Sequence, residues 1–316
     1  MIEKNLAFSQ KGNPYLSLRL SDKTGSIDGR IWDRAQECSE TFQKGNIVAV
    51  DARALKYKDV IQLSILDIVP LRDNEIDPMD YLPSSKEDAS SMFKRLLAFI
   101  DSIDDPHLQA LLQSIFRDET VASAFMRSPA AKGFHHSYIG GLLEHTLSMV
   151  ILLDVVANHY KGVNRDLLLA GGILHDIGKI EELACKRMID YTDVGRLIGH
   201  IVLAVEMIDK RIADIVDFPE KLAMELRHII LSHHGILEYG SPKRPKTVEA
   251  LIVNFVDDMD AKVNAFQEFI KDSGDDSNWT GFHRLLERFI YKGGGTADRR
   301  NDLADAFEES GLDRRE

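Results

Sequence analysis

The histidines of this chain are concentrated in one stretch, and imidazole is a common ligand of divalent metal ions. Of 11 histidines, nine lie between residues 135 and 234, namely His135, His136, His145, His159, His175, His200, His228, His233 and His234. His145 lies in an apolar segment and His175-Asp176 follows another, where charged groups are costly to bury unless they are paired or coordinated. This clustering predicts a metal site.

The adjacent pair His175-Asp176 offers one imidazole nitrogen and one carboxylate, and a carboxylate can bridge two ions. Lys179 follows three residues after Asp176, so on a continuing helix its ammonium projects from the same side and would meet an anionic substrate. Nitrogen and oxygen ligands without thiolate suit Mn²⁺, Fe²⁺, Co²⁺ or Ni²⁺. Cys38 and Cys185 are far apart, without the spacing of a disulfide framework or a thiolate zinc site.

Two periodicities divide the chain and predict an α+β multidomain protein. Leu16, Leu18 and Leu20 alternate with polar residues, so residues 1–72 are expected to form a small antiparallel β domain. Residues 73–88 have no periodicity and are interpreted as a linker. A helical period begins near Ser90 and continues to about Phe289, which predicts an all-α domain over residues 89–292. The charged, glycine-led residues 293–316 are expected to be a flexible tail.

Charge and composition restrict the function. The formal net charge is −12, but residues 1–72 hold 11 basic against 9 acidic residues, so a polyanion surface is expected there. We predict a base-stacking groove for single strands from aromatic residues interleaved with cations. The predicted contacts are Tyr15, Arg19, Arg30, Trp32, Lys56 and Lys58. In the alternative interpretation, Trp32 fills the core and the cations are ordinary solvated side chains.

Disorder throughout the chain is excluded by 44% hydrophobic residues among the 316 of the chain. No apolar run reaches the roughly 18 residues that a membrane-spanning helix requires, so no membrane partner is expected. The first residues lack the basic segment and apolar stretch of a secretory signal. A cytoplasmic location is the resulting expectation.

His145, His175-Asp176 within HDIGK, and Asp257 within VDDMDAK together resemble the signature of the HD-domain metal-dependent phosphohydrolases. The resemblance implies that these four residues hold one ion, with Asp258 as an alternative to Asp257. It further implies a second ion, bridged by Asp176. The ligands implied for that ion are His200 with His233, His234 or both. Lys179 would then stabilise the phosphate, and His136 would orient it or protonate the leaving oxygen.

A closer resemblance is to the YhaM-type 3′-to-5′ exoribonucleases, which join an N-terminal OB-fold to an HD domain. It is carried by GFHHSYIGGLLEHTL, by SHHG, GSPKRP and VDDMDAK, and by GNPYLSLRLSDKTGSIDGRIWD in the β region. It implies an OB-like β-barrel before the HD domain. The implied activity is removal of nucleotides from the 3′ end of single-stranded RNA, with single-stranded DNA as a further candidate, by a hydroxide that two metal ions activate. The alternatives are a phosphohydrolase of small cyclic, dinucleoside or alarmone nucleotides, and a non-catalytic nucleic-acid-binding module with a structural metal.

Overall fold

The computed structural model describes residues 3–9, 12–72, 75–133, 136–274, 277–284 and 286–293. It confirms the α+β class, with a β-sheet at the N-terminus followed by a helical region. The chain divides into two compact units, Met1–Asp260 and Ala261–Glu316. Most of the predicted tail, residues 294–316, lies outside the described residues.

The N-terminal sheet has five strands: β1 (Glu3–Phe8), β2 (Pro14–Asp22), β3 (Gly25–Ile31), β4 (Val48–Tyr57) and β5 (Val60–Pro70). Leu16 and Leu18 alternate toward a core completed by Phe42 and Ile65, beneath α1 (Ala35–Thr41). In the turn between β2 and β3, the Asp22 carboxylate accepts a hydrogen bond from the Thr24 amide at 2.7 Å. The alternation predicted from sequence therefore identified the buried face.

A barrel is not confirmed. The strand order is β1-β2-β3-β5-β4, and within the described residues β1 and β4 are unpaired edges, so the sheet is open. A closed barrel requires the two edge strands to pair. The expectation of an antiparallel sheet was also wrong at one position, because β3 pairs with β5 in parallel. Alternation reports which face is buried but does not report which strands become neighbours.

Eleven further α-helices among the described residues follow the sheet. They are α2 (Pro78–Tyr81), α3 (Ala89–Asp101), α4 (Pro106–Phe116), α5 (Glu119–Arg127), α6 (Gly141–His159), α7 (Arg165–Leu174), α8 (Lys179–Glu182), α9 (Asp193–Leu197), α10 (His200–Ala213), α11 (Glu220–Ser232) and α12 (Val248–Asp272). Aspartates 88, 105 and 118 cap the first turns of α3, α4 and α5. One continuous apolar core extends from α3 to α12 and surrounds the ligand-bearing helix ends.

The prediction that residues 89–292 are all helical was wrong. A hairpin of β6 (Leu183–Cys185) and β7 (Ile189–Tyr191) follows α8, and a second hairpin of β8 (Trp279–His283) and β9 (Arg288–Tyr291) follows α12. Strands of three to five residues are too short for a period of two to be distinguished from part of a helical turn. The helical pattern therefore seemed continuous to residue 289, whereas α12 ends at Asp272.

By length and composition alone, α6 could cross a membrane. The buried core helix of a soluble protein can have the same length and composition. Nine residues of α6 are buried in the protein, including His145.

Candidate metal centre

Most of the predicted ligands lie at or near helix ends, and together they form one buried site. His145 lies in the second turn of α6, and His175-Asp176 directly follows α7. His200 is the first residue of α10, His233-His234 follows α11, and Asp257 lies in the middle of α12. Helix ends suit this purpose because the chain changes direction there, which lets neighbouring residues face a common point.

The first ligand set consists of His145, His175, Asp176 and Asp257. The Nε2 atom of His145 lies 3.3 Å from Nε2 of His175, 3.7 Å from Asp176 Oδ2 and 3.3 Å from Asp257 Oδ1. His175 Nε2 lies 3.3 Å from Asp176 Oδ2 and 3.9 Å from Asp257 Oδ1. Ligand atoms about 2.1 Å from a tetrahedral ion stand about 3.4 Å apart, so these four fit a divalent metal.

The second ligand set consists of Asp176, His200, His233 and His234, whose ligand atoms lie within 4.8 Å of one another. Asp176 Oδ1 is 3.4 Å from His200 Nε2 and 3.6 Å from His233 Nε2. Among the residues that the structure describes, none makes a hydrogen bond to any of these three buried atoms. A buried polar atom without a partner costs about 1–3 kcal/mol, so three of them converging on one point fit a cation site. Asp176 faces both sets, one oxygen to each, as a bridging ligand must.

In each of the five ligand imidazoles, the Nδ1 atom faces away from the site and lies at hydrogen-bond distance from an acceptor. The Nδ1 atoms of His175, His233 and His234 lie 2.8, 2.7 and 2.8 Å from the backbone oxygens of Gly172, Ile230 and Tyr239. Those of His145 and His200 face carboxylates, described below. When Nδ1–H donates outward, Nε2 keeps its lone pair for a metal, so the protein fixes the ligating nitrogen of every ring.

Asp260 is a functional residue that the sequence interpretation missed. Its Oδ2 accepts from His145 Nδ1 at 2.7 Å and lies 3.2 Å from His136 Nε2, while the Ser148 hydroxyl donates to its other oxygen. Burial opposes ionisation, but the hydrogen bonds from His136 and His145 lower the pKa of Asp260 far below its usual range. Asp260 therefore orients His145 as an anion. Its position three residues after Asp257, on the same helical face, was the available signal.

Glu182 is a second missed residue, and it orients His200. One carboxylate oxygen lies 3.0 Å from both the backbone amide and Nδ1 of His200. Burial raises the pKa of Glu182, but the contacts with His200 outweigh it and lower the pKa. Two glycines allow this contact: a Cβ at Gly178 would lie 2.1 Å from the His200 oxygen, and one at Gly195 would lie 2.3 Å from the Glu182 oxygen. Gly178 is the glycine of HDIGK, so its place in the motif has a steric reason.

Lys179 lies at the start of α8, and its ammonium is 2.5 Å from Asp176 Oδ2. Burial disfavours the charge, but the Asp176 carboxylate outweighs it and raises the pKa of Lys179. The side chain is therefore a cation beside the carboxylate that both ligand sets share. That position is compatible with the predicted contact to a phosphate.

His136 is buried outside the ligand cluster rather than between the two sets. Its Nδ1 lies 2.9 Å from the Tyr138 hydroxyl and its Nε2 faces Asp260. This geometry favours orienting the pair formed by Asp260 and His145, and the predicted contact with a leaving oxygen stays a prediction. Asp258, the alternative ligand, is exposed on α12, whereas Asp257 contacts His145.

Residues 142–262 match the family model described as HD domain. This region is an HD domain. It contains all the ligands of both sets, together with Lys179, Glu182 and Asp260, and it supports a metal-dependent phosphohydrolase in general. No solved structure matches the chain. His136 and the N-terminal sheet lie outside the HD match.

The predicted nucleic-acid contacts lie on the N-terminal sheet, and the structure brings only part of them together. The Tyr15 and Trp32 rings stack with centroids 4.9 Å apart, and the Arg30 guanidinium lies 5.5 Å from the Tyr15 ring and 6.0 Å from the Tyr57 ring. We call these four residues the N-terminal aromatic face. Trp32 is 48% exposed, so the alternative that it fills the core is wrong.

The remaining three predicted contacts are cations, and two of them, Arg19 and Lys56, are engaged away from the rings. Arg19 donates to the Ser26 hydroxyl at 2.9 Å, and Lys56 pairs with Asp59 at 2.9 Å. Lys58 lies 5.6 Å from the Tyr57 ring, at the edge of the N-terminal aromatic face. The Tyr57 ring is 54% exposed.

Proposed function

We propose that this protein is a metal-dependent 3′-to-5′ exoribonuclease that hydrolyses single-stranded RNA and also accepts single-stranded DNA. The observation that carries the proposal is the presence, in one chain, of a two-set metal centre and an exposed aromatic face with a cation between its rings. The metal centre supports phosphohydrolase chemistry, and the face supports a substrate with several bases.

In this proposal the first set, with Asp257, and the second set, with His200, each hold one divalent ion and share Asp176. Two ions bound there supply a water of lowered pKa and neutralise the charge on a phosphate. Asp260 and Glu182 keep the imidazoles oriented. Lys179 places a fixed cation at the boundary of the two sets, where a phosphate oxygen gains a charge-assisted hydrogen bond.

The N-terminal aromatic face favours a polymer over a small nucleotide. Aromatic rings beside a guanidinium are the elements with which single-strand-binding surfaces stack bases and neutralise the backbone. Three of these residues lie on β2, β3 and β4, and Trp32 directly follows β3. All four lie outside the HD domain, so a mononucleotide bound at the metal centre would not need them. A small-nucleotide phosphohydrolase would retain full activity after their removal.

The test is a denaturing gel of 5′-labelled single-stranded RNA incubated with the full chain, in Mn²⁺ or in EDTA, beside Asp176→Ala. We expect products that shorten from the 3′ end only with metal, and none with the variant. A dinucleotide and a cyclic dinucleotide are assayed in parallel. Intact RNA in every metal, with cleavage of either small substrate, would replace the proposal by the small-nucleotide alternative. Two tightly bound ions without any turnover would indicate the non-catalytic one.

A further inference from the structure

The β8–β9 hairpin presents four aromatic rings on one face. Trp279 pairs with Tyr291 and Phe282 with Phe289, with ring centroids 5.1 and 5.3 Å apart. The four side chains are between 52% and 59% exposed. The opposite face is buried, with Thr280 and Ile290 almost fully covered. We call the four rings the hairpin aromatic face. It lies outside the HD match and belongs to the second compact unit.

A β-bulge creates this face. Two positions separate Tyr291 from Phe289 on β9, but three separate Trp279 from Phe282 on β8, so β8 contains one extra residue. Side chains alternate along a regular strand, so two residues three positions apart, such as Trp279 and Phe282, would point to opposite faces. The bulge turns both of these side chains to the same face. The Thr280 hydroxyl completes the bulge: it accepts from the Ile290 amide at 3.0 Å and donates to the Gly281 oxygen at 2.8 Å. The bulge is therefore hydrogen-bonded, and it aligns the four rings.

The hairpin segment carries three cations and one anion, and Asp275 and Asp276 directly precede it in the sequence. Residues 277–293 contain Arg284, Arg288 and Lys292 against Glu287 alone, whereas the chain as a whole carries −12. A symmetric dimer through this face would bring the same patch of two copies together, and with it both sets of cations. Such like-charge contacts disfavour association, whereas a polyanion is attracted.

We infer that the hairpin aromatic face binds single-stranded RNA by stacking bases on its rings, with the net positive charge of residues 277–293 attracting the phosphate backbone. This inference rests on the proposed RNA substrate and adds a second strand-binding surface on a separate unit of the chain. Base stacking on exposed rings tolerates any sequence, which is what an exonuclease advancing along a strand needs.

The chain contains two tryptophans, Trp32 and Trp279, one on each aromatic face. Trp32→Phe leaves Trp279 as the only tryptophan, and Trp279→Phe leaves Trp32, while both variants keep an aromatic ring. Each full-length variant is titrated with oligouridylate in EDTA, so that metal-dependent hydrolysis does not interfere. We expect saturable quenching of Trp279 emission that weakens with added salt. Polyphosphate, which has charge but no bases, should leave the emission unchanged.

Phe289→Leu in the Trp32→Phe background keeps apolar area but removes a ring, and we expect it to weaken binding at Trp279 roughly tenfold. Phe289→Tyr, which keeps the ring, should restore the affinity. Unchanged Trp279 emission in oligouridylate would overturn the inference. So would equal affinity of the Leu variant, or a change from dimer to monomer in that variant without a change in RNA binding.

The two proposals fail separately. If the chain degrades RNA but oligouridylate does not change the Trp279 emission, only the hairpin binding surface is contradicted. If oligouridylate binds at Trp279 but RNA stays intact in every metal, only the proposed exonuclease activity is contradicted.

Discussion

The metal centre and the N-terminal aromatic face are built on opposite principles. In the metal centre, Asp176, His145 and His233 are almost fully buried, and the outer nitrogens of the imidazoles face protein acceptors at 2.7–3.0 Å. On the N-terminal aromatic face, Trp32 and Tyr57 are about half exposed and are held mainly by ring contacts. Chemistry at phosphorus requires fixed distances, whereas a passing strand requires a surface that accepts any base. Single substitutions should therefore have large effects in the first region and small ones in the second.

The largest expected effect is at Asp257. Asp257→Asn removes a charged ligand from the first set, and we expect loss of one bound ion and a fall in RNA hydrolysis of about a thousandfold, which corresponds to about 4 kcal/mol. Asp258→Asn is the matched control, because it makes the same change one residue further along α12 at an exposed position. Metal content by mass spectrometry and hydrolysis rates check both variants. Equal losses in the two would contradict the assignment of Asp257.

The next effect is at Asp260, which contacts a ligand but is assigned to neither set. Asp260→Asn removes the charge that orients His145, and losses of about 10- to 100-fold in metal affinity are typical of such outer partners. Metal titration of the purified variant measures the change, with thermal unfolding as a check on folding. An affinity equal to that of the wild type would mean that the contact between His145 and Asp260 does not matter for the metal.

The two ligand sets should differ in pH dependence. Burial lowers the pKa of His145, but Asp257 and Asp260 outweigh it and raise the pKa to about 10. A metal must displace that proton, so affinity at the first set should rise about tenfold per pH unit toward pH 10. Burial lowers the pKa of His233, and burial with the nearby His233 lowers that of His234 to about 4. These two rings are neutral at pH 7, so the second set should show little dependence there.

His145 also determines the direction in which the stability of the metal-free protein changes with pH. The folded pKa of His145 lies above the unfolded value of about 6.5, so its contribution is complete below pH 6.5 and is lost as the pH rises toward 10. Chemical denaturation of metal-free protein across this range checks the direction. Two ions that bind with identical pH profiles would contradict the distinction between the sets.

The smallest expected effect is on the N-terminal aromatic face. Arg30→Gln removes the cation between Tyr15 and Tyr57, and we expect RNA binding to weaken about two- to fivefold, with a salt slope smaller by about 1. Metal content should not change. Arg19→Gln is the matched control, because Arg19 donates to Ser26 and lies outside the ring cluster. A larger loss of RNA affinity in Arg19→Gln than in Arg30→Gln would indicate that the binding surface lies nearer the β2–β3 turn.

The same contrast explains what sequence could predict. The HDIGK and VDDMDAK segments carry ligand types at fixed positions, so the residues of both sets could be proposed from sequence, and the structure brings them together. Asp260 and Glu182 act through contacts across 115 and 18 positions of the chain, which no local pattern reports. The open sheet depends on whether β1 and β4 pair, and the hairpin aromatic face depends on one inserted residue in β8. Both are decided by tertiary contacts.

The close backbone contacts at Gly178 and Gly195 also limit which substitutions these two positions can accept. A side chain at Gly178 would push the start of α10 away from the HDIGK segment, and one at Gly195 would push α9 away from Glu182. In either case His200 would turn away from Asp176, although neither glycine has a side chain that could bind a metal. In a library of random variants selected for activity, these two positions would accept as few substitutions as the ligand positions do.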